Sequence, residues 1–276
     1  MTVSRIDLDG LGSPADIAAR IHELDPDLPL AFSIEELCRQ LDIVGIELTE
    51  TTAYEAALIM DANKASGAIL LARGSDPRRR RFSIGHELGH FLIPTHVPRE
   101  GECFNCSPAD LRLADTRETN RHRRIEAEAN RFAAQLLMPP ARIRSQLRSR
   151  QPDLSEVVRL AKEFAVSKEA MARSYAEAHR ETLAIVMVQN GRVERLYRPD
   201  DFPWIGPHVG DPVPEESLAS DHCLAPGTIG DMEECEPETW LGSSGVRKVE
   251  VLSEQVLAQQ SGYATILLHA ELAEAD

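Results

Sequence analysis

Two short helices are predicted at the start of the chain from the spacing of its apolar residues. In the first stretch, Pro14–Leu24, apolar side chains recur three and four positions apart, which places them on one face of a helix. The second stretch, residues 33–41, repeats this spacing after Ser33, and Glu36 follows three residues later. A serine followed at this distance by a glutamate is typical of the first turn of a helix. We therefore expect a helix in each stretch.

A small sheet is predicted next, because short apolar stretches alternate with turn-forming residues. The predicted strands are residues 43–48, 56–60 and 66–72. Between the second and third strands lies the turn-prone segment 61–65. The strands near Ile59 and Ile69 could offer a free edge to an extended peptide substrate, which would bind through main-chain hydrogen bonds.

A third helical stretch contains the pattern His-Glu-x-x-His. Its apolar run is closed by Pro94, and within it stand His86, Glu87 and His90. Residues four apart lie one above the other on a helix, so the two imidazoles would point to one place and form half of a zinc site. Glu87 would lie beside the metal and could take a proton from a water there. Ordinary hydrogen bonds could also satisfy these side chains, so a metal site requires a third ligand elsewhere.

A fourth helix is predicted at residues 116–138, ending before Pro139. Its apolar stripe consists of Ile125, Ala129, Phe132, Ala133, Leu136 and Leu137. At about 100° per residue, Glu126 falls roughly 60° from the centre of that stripe, whereas Glu128 falls roughly 100° away on the other side. Glu126 is therefore predicted to face the interior, and Asn130, one turn later, could hold its carboxylate by a hydrogen bond.

The remainder of the chain predicts a helical pair and then a second sheet. Residues 153–180 contain two helical patterns joined by Ala165-Val166-Ser167, a link that resembles the turn of a helix-turn-helix unit. We favour packing against the catalytic helices over DNA contact for this pair. After it, a hairpin with an Asn190-Gly191 turn and two later strands predict a small α+β domain around a long Pro- and acid-rich stretch.

Charge and composition argue against a membrane protein and do not favour a nucleic-acid-binding protein. Of the 276 residues, 42% are apolar and 27% charged, as is usual for globular proteins. Of the net charge of −15, the last 95 residues carry −12, whereas residues 112–180 have 15 basic and 9 acidic side chains. Only this middle segment could meet a nucleic acid, so direct binding is not favoured. We find no apolar run long enough to span a membrane and no secretion signal, and expect a cytoplasmic protein.

Two connecting segments and the cysteines carry further predictions. The basic run at 77–81 is expected to be a solvated connector, and the segment after Pro94, up to about Asp115, a long loop. Without an export signal the thiols are expected to be reduced. The alternative is that four of them form a second, structural zinc site or a thiol switch. These four are Cys103, Cys106, Cys223 and Cys235.

Two blocks of this sequence resemble the ImmA/IrrE-type zinc metallopeptidases. The first is Arg-Phe-Ser-Ile-Gly-His-Glu-Leu-Gly-His at 81–90, and the second is Ile-Glu-Ala-Glu-Ala-Asn-Arg-Phe-Ala-Ala-Gln-Leu-Leu-Met-Pro at 125–139. The resemblance covers about residues 10 to 180. It implies an α+β, zincin-like metallopeptidase domain in which His86, His90 and Glu126 bind zinc and Glu87 is the general base.

The patterns along the chain predict a domain division, and the resemblance implies a function. We expect a metallopeptidase domain at 1–151, a helical pair packed on it at 152–181, and an acidic α+β domain at 182–276 that is a candidate sensor. The implied function is zinc-dependent cleavage of a protein, a helix-turn-helix repressor, to relieve repression under stress. The alternative is a zinc-stabilised regulatory protein with little turnover. His122 and Tyr175 are candidates for the oxyanion contact.

Overall fold

The chain folds into two compact units of mixed α+β structure, which confirms the predicted fold class at this level. The computed structural model describes residues 3–61, 63–97, 104–106, 121–220 and 224–273, with the backbone alone at 104–106. The first unit comprises Met1–Pro139 and Glu163–Ser167, and the second comprises Pro140–Lys162 and Lys168–Asp276. No helix in the described ranges is long and apolar enough to cross a membrane.

The first unit has two short helices, then three strands, and then two longer helices with a fourth strand between them in sequence. In chain order its elements are α1 (Pro14–Leu24), α2 (Ile34–Gln40), β1 (Ile43–Thr49), β2 (Ala56–Met60), β3 (Gly67–Ala72), α3 (Pro77–Leu92), β4 (Phe104–Cys106) and α4 (Arg121–Leu137). The hydroxyl of Ser33 accepts a hydrogen bond from the Glu36 backbone N–H, so the predicted cap of α2 is confirmed. Ser13 caps α1 in the same way.

The sheet of the first unit differs from the expectation of a free edge near Ile59 and Ile69. Its strand order is β1-β3-β2-β4, with β1 and β3 parallel and the other pairs antiparallel. Ile69 lies on β3, which has neighbours on both sides, and β4 pairs with Ala56, Ala57 and Leu58 of β2. The prediction is wrong for β3, which lies between β1 and β2, and for this part of β2, because the segment predicted as a loop supplies β4.

The basic run at 77–81 is the first turn of α3 and not a connector, although Pro77, Arg78 and Arg79 are exposed, as predicted. Arg79 forms an ion pair with Glu55, a buried carboxylate that is 7% exposed. Arg81 donates a hydrogen bond to the Phe32 carbonyl, and its guanidinium lies 4.7 Å from the centre of the Phe32 ring. The run therefore anchors α3 to the segments before β2 and α2.

The second unit is built around an antiparallel sheet. Its elements are α5 (Pro140–Gln146), α6 (Leu154–Glu163), α7 (Lys168–Ala178), β5 (Thr182–Gln189), β6 (Arg192–Tyr197), β7 (Glu233–Cys235), α8 (Pro237–Trp240), α9 (Ser243–Val246), β8 (Val249–Ala258) and β9 (Tyr263–Leu272). The strand order is β6-β5-β9-β8-β7. Asn190 and Gly191 both have positive φ, at 50° and 72°, which confirms the predicted hairpin turn.

Most of the helical pair expected at 152–181 lies in the second unit, whereas Glu163–Ser167 lies in the first. The side-chain oxygen of Gln255 on β8 accepts a hydrogen bond of 2.7 Å from the Leu154 N–H. Glu169 on α7 accepts a 2.7 Å hydrogen bond from the Tyr197 hydroxyl on β6. An amphipathic pattern shows that a helix buries one face but not what covers it, and here these contacts tie the pair to the sheet.

A buried carboxylate orders part of the long acidic stretch in the second unit. Glu254 on β8 is 0% exposed and accepts hydrogen bonds from the Ser217 hydroxyl, at 2.6 Å, and the Trp240 indole, at 3.0 Å. Burial raises the pKa of Glu254 above its usual value, despite these two donors. The stretch that looks irregular in sequence is therefore attached to the sheet through specific side chains.

Candidate metal centre

Helices α3 and α4 approach closely because small residues meet where they cross. A Cβ atom added at Gly89 would lie 2.9 Å from Cδ1 of Phe132 and 3.3 Å from Cα of Ala129. One added at Gly85 would lie 3.3 Å from the Cβ of Ala133. Any larger side chain at Gly89 would push the helices apart. The glycine positions thus determine how near the side chains of one helix come to those of the other.

Replacing Gly89 with alanine should therefore damage the site, whereas Gly85→Ala serves as the matched control. Each change gains about 1 kcal/mol of helix propensity, but overpacking at Gly89 costs about 1–3 kcal/mol. We expect Gly89→Ala to lower both the unfolding temperature and the affinity for zinc, and Gly85→Ala to stay near wild type. Thermal unfolding and zinc titration measure the two effects. A wild-type unfolding temperature and zinc affinity in Gly89→Ala would contradict the close approach described here.

Three buried side chains from α3 and α4 converge on one point. The Nε2 atoms of His86 and His90 are 3.0 Å apart, and carboxylate oxygens of Glu126 lie 3.1 Å from the first and 3.5 Å from the second. Ligands about 2.05 Å from a tetrahedral zinc ion would be about 3.3 Å apart. His86 and His90 are 0% exposed and Glu126 is 5% exposed. These three residues form a group that could bind a metal ion.

The chemistry of this group also fits a cation. Asn130 Oδ1 lies 2.9 Å from His86 Nδ1 and can accept its hydrogen, which leaves the Nε2 lone pair of that ring directed at the shared point. Two imidazole lone pairs and a carboxylate repel one another unless a positive charge lies between them. Imidazole ligands favour zinc over magnesium or calcium. Glu126 thus faces the two histidines, and Asn130 contacts His86.

His90 has a second partner that the sequence reasoning missed. The Nδ1 atoms of His90 and His96 are 3.1 Å apart, and His96 Nε2 is 2.9 Å from a carboxylate oxygen of Glu128. His96 is 0% exposed, although it follows Pro94 in a segment predicted as a loop. The available signal was a histidine six residues after His90. The two glutamates of α4 therefore have different partners, one at the convergent group and one behind it.

The protein's own charges set the protonation of the group. Burial lowers the pKa of His90 to about 4 and that of His96 to about 2. Burial also disfavours the charged form of His86, but the hydrogen bond to Glu126 and the charge of Glu87 outweigh it and raise the pKa of His86. Burial alone would raise the pKa of Glu126, yet hydrogen bonds from the histidines hold it well below its usual value. A metal ion at this group would require the deprotonated Nε2 atoms of both histidines.

The end of α3 is closed by residues from other parts of the first unit. Lys64 donates hydrogen bonds of 2.9 Å to the His90 carbonyl and 2.8 Å to the Ile93 carbonyl. Burial lowers the pKa of Lys64 to about 8. The guanidinium of Arg5 lies 4.8 Å from the centre of the Phe91 ring. The backbone that carries His90 is therefore fixed from outside the helix.

The remaining predicted site residues lie in different places. Glu87 is 0% exposed on α3, next to His86 in sequence. The Nδ1 atom of His122 is 3.9 Å from a Glu126 oxygen, and its side chain is 66% exposed, so it lies at the rim of the group. Tyr175 lies in the second unit, where its hydroxyl accepts a 3.2 Å hydrogen bond from the Asp153 N–H.

The proposed cysteine cluster lies largely outside the described residues. Cys103 and Cys223 are not among them, and of Cys106 only the backbone is described. Cys38 and Cys235 are free thiols, and burial raises the pKa of Cys235 to about 12. A second zinc site or a thiol switch at these residues stays a prediction.

Comparison with known proteins identifies the family to which this part of the chain is similar. Residues 40–174 match the sequence pattern of a peptidase family described as the IrrE N-terminal-like domain. This part of the chain belongs to that family. The IrrE-type match includes all of α3 and α4, and hence His86, His90 and Glu126. The predicted membership of the ImmA/IrrE family is confirmed.

A solved structure resembles nearly the whole chain in fold. It is a transcriptional regulator of Mycobacterium tuberculosis, with 14% identity, a TM-score of 0.55, and coverage of 93% of this chain and 87% of that one. At this identity the likeness shows a common fold. The comparison with curated proteins gives no match.

Proposed function

We propose that this chain is a zinc-dependent metalloendopeptidase with a zincin-like active site. The observation that carries the proposal is the buried convergence of His86, His90 and Glu126 beside the buried carboxylate of Glu87. The first three would hold the zinc ion through two imidazole nitrogens and one carboxylate, which leaves a coordination position open. Membership of a peptidase family supports the same reading.

Each residue of the group has a role in peptide hydrolysis. A zinc ion held here would polarise the scissile carbonyl and make a water molecule more acidic. Glu87 would accept a proton from that water and deliver it to the amine nitrogen as the peptide C–N bond breaks. Asn130 would keep the His86 ring oriented through its 2.9 Å hydrogen bond. His122, at the rim, stays a candidate for contact with the substrate carbonyl.

The proposed substrate is a protein, specifically a helix-turn-helix transcriptional repressor whose cleavage relieves repression. The ImmA/IrrE resemblance supports this substrate, and the Mycobacterium tuberculosis protein of similar fold is named a transcriptional regulator. We further propose that the acidic C-terminal sheet domain senses a signal that controls cleavage. The hairpin and the residues around Glu254 contribute to one hydrophobic core within this domain. The domain therefore has a packed structure of its own, as a sensor domain would need.

Metal removal tests the proposal most directly. The purified protein would be incubated with a candidate helix-turn-helix repressor, and products identified by mass. We expect discrete fragments, no fragments after treatment with a zinc chelator, and recovery when zinc is added back. Fragments that persist in the chelator would exclude a metal-dependent reaction and indicate a contaminating protease.

A second candidate function is a zinc-stabilised regulatory protein without turnover. The observation that favours it is the likeness of 93% of the chain to a transcriptional regulator, which extends well beyond the peptidase family match. In the same experiment this function predicts a stable complex with the repressor and no fragments. Zinc would then raise the unfolding temperature without any chemical step.

A further inference from the structure

We propose that His96 and Glu128 act as positioning residues that hold His90 in its metal-binding tautomer. The proposal rests on the metal-binding part of the function proposed above, but not on proteolysis. It starts from two contacts behind the convergent group: 3.1 Å between the Nδ1 atoms of His90 and His96, and 2.9 Å between His96 Nε2 and Glu128 Oε2. Together they form a chain from the carboxylate to His90.

The direction of the hydrogen bonds follows from the carboxylate end of this chain. An ionised Glu128 can only accept, so His96 Nε2 must carry a hydrogen. A neutral imidazole carries one hydrogen, so His96 Nδ1 is an acceptor, and His90 Nδ1 must donate to it. The remaining nitrogen of His90, Nε2, then has a lone pair directed at His86 and Glu126. The chain thus determines which nitrogen of His90 is free to bind a metal.

Helix α4 orients the two histidines by different means. For His86 the amide oxygen of Asn130 accepts the Nδ1 hydrogen directly, at 2.9 Å. Glu128 lies on the other flank of α4, about 160° round the helix from Glu126, so it needs a second residue to reach His90. His96, which is 0% exposed, spans this gap. A carboxylate behind the ring also makes the imidazole more basic and a stronger ligand.

A simpler role for His96 and Glu128 is to attach the segment after α3 to α4. Measuring zinc affinity distinguishes this role from the positioning of His90. His96→Phe fills the space but cannot accept a hydrogen bond, whereas His96→Gln keeps an acceptor oxygen. We expect His96→Phe to lower zinc affinity by about 10–100-fold and His96→Gln to restore most of that loss. Competition with a chromophoric chelator measures the affinity. The visible spectrum of bound Co²⁺ should change in His96→Phe and return towards wild type in His96→Gln.

Glu128→Ala and the double variant test the chain from its other end. Because both residues act through His90, we expect the double variant His96→Phe/Glu128→Ala to bind zinc no more weakly than His96→Phe alone. Glu47→Ala, an exposed change on β1, controls for the loss of one negative charge. Glu128→Ala should lower zinc affinity even if His96→Phe does not fold.

Three results would overturn the inference. If His96→Phe and His96→Gln lower the unfolding temperature but bind zinc like wild type, the pair only fastens the segment. Additive losses in the double variant would show that the residues act separately. If wild type itself binds no zinc, the metal centre of the proposed function fails as well. Cleavage of a repressor is not used in any of these measurements, so lack of proteolysis leaves the inference standing.

Discussion

Glu126→Ala should release the metal from the protein, whereas Glu128→Ala should keep most of it when zinc is supplied in equimolar amount. Glu126 is the only carboxylate in the convergent group, at 3.1 Å and 3.5 Å from the two Nε2 atoms. Removing a ligand should cost more than the 10–100-fold in affinity that is typical of a supporting residue. Elemental analysis after dialysis gives the zinc content of each variant.

The comparison between the two glutamates is the control in this experiment. Both variants lose one negative charge from α4, so a difference in zinc content between them cannot come from net charge. Circular dichroism would show that each is folded. If Glu128→Ala lost its zinc and Glu126→Ala retained it, the assignment of Glu126 to the metal would be wrong.

Glu87→Gln is expected to retain zinc and to slow cleavage of the repressor by about 10²–10⁴-fold. The amide has nearly the shape of the carboxylate, so the packing around this fully buried residue should persist. It cannot accept a proton from water, however, and the reaction loses its base. Product mass followed over time gives the rate, and zinc content is measured on the same sample.

The matched control for this variant is Glu47→Gln, which makes the same chemical change at an exposed position of β1. We expect it to cleave at the wild-type rate. Full activity in Glu87→Gln would remove the general base from the proposed mechanism. Loss of zinc from Glu87→Gln would instead show that this carboxylate holds the metal, and the ligand set would need revision.

The two helices of the candidate site are predictable because their side chains follow a strict period. Four residues separate His86 from His90, which fixes their common direction without any knowledge of the fold. The apolar stripe of α4 likewise separates Glu126 from Glu128 by angle alone. In the structure Glu126 meets both histidines and Glu128 does not. The direction in which a side chain points from a helix depends only on its position in that helix, so it can be predicted from the sequence.

Other features depend on contacts between residues that are distant in sequence, and no local pattern predicts these contacts. His96 follows the proline that ends α3, so nothing in its spacing indicates where its ring points. The strand β4 has three residues, too few for a pattern, and exists through pairing with β2. Arg79 looks like one more charge in a solvated run until Glu55, 24 positions earlier, is placed beside it. Each of these is a long-range pairing.

Closure of α3 and α4 by the N-terminal residues has a consequence for the limits of the domain. The family match begins at residue 40, yet Arg5 lies over Phe91, and His22 hydrogen-bonds the Leu136 carbonyl at 2.8 Å. The match ends at residue 174, inside α7. The stretch that identifies the family therefore begins later than the piece of chain that packs around the metal ligands. The boundaries of the family match and of the folded domain are different.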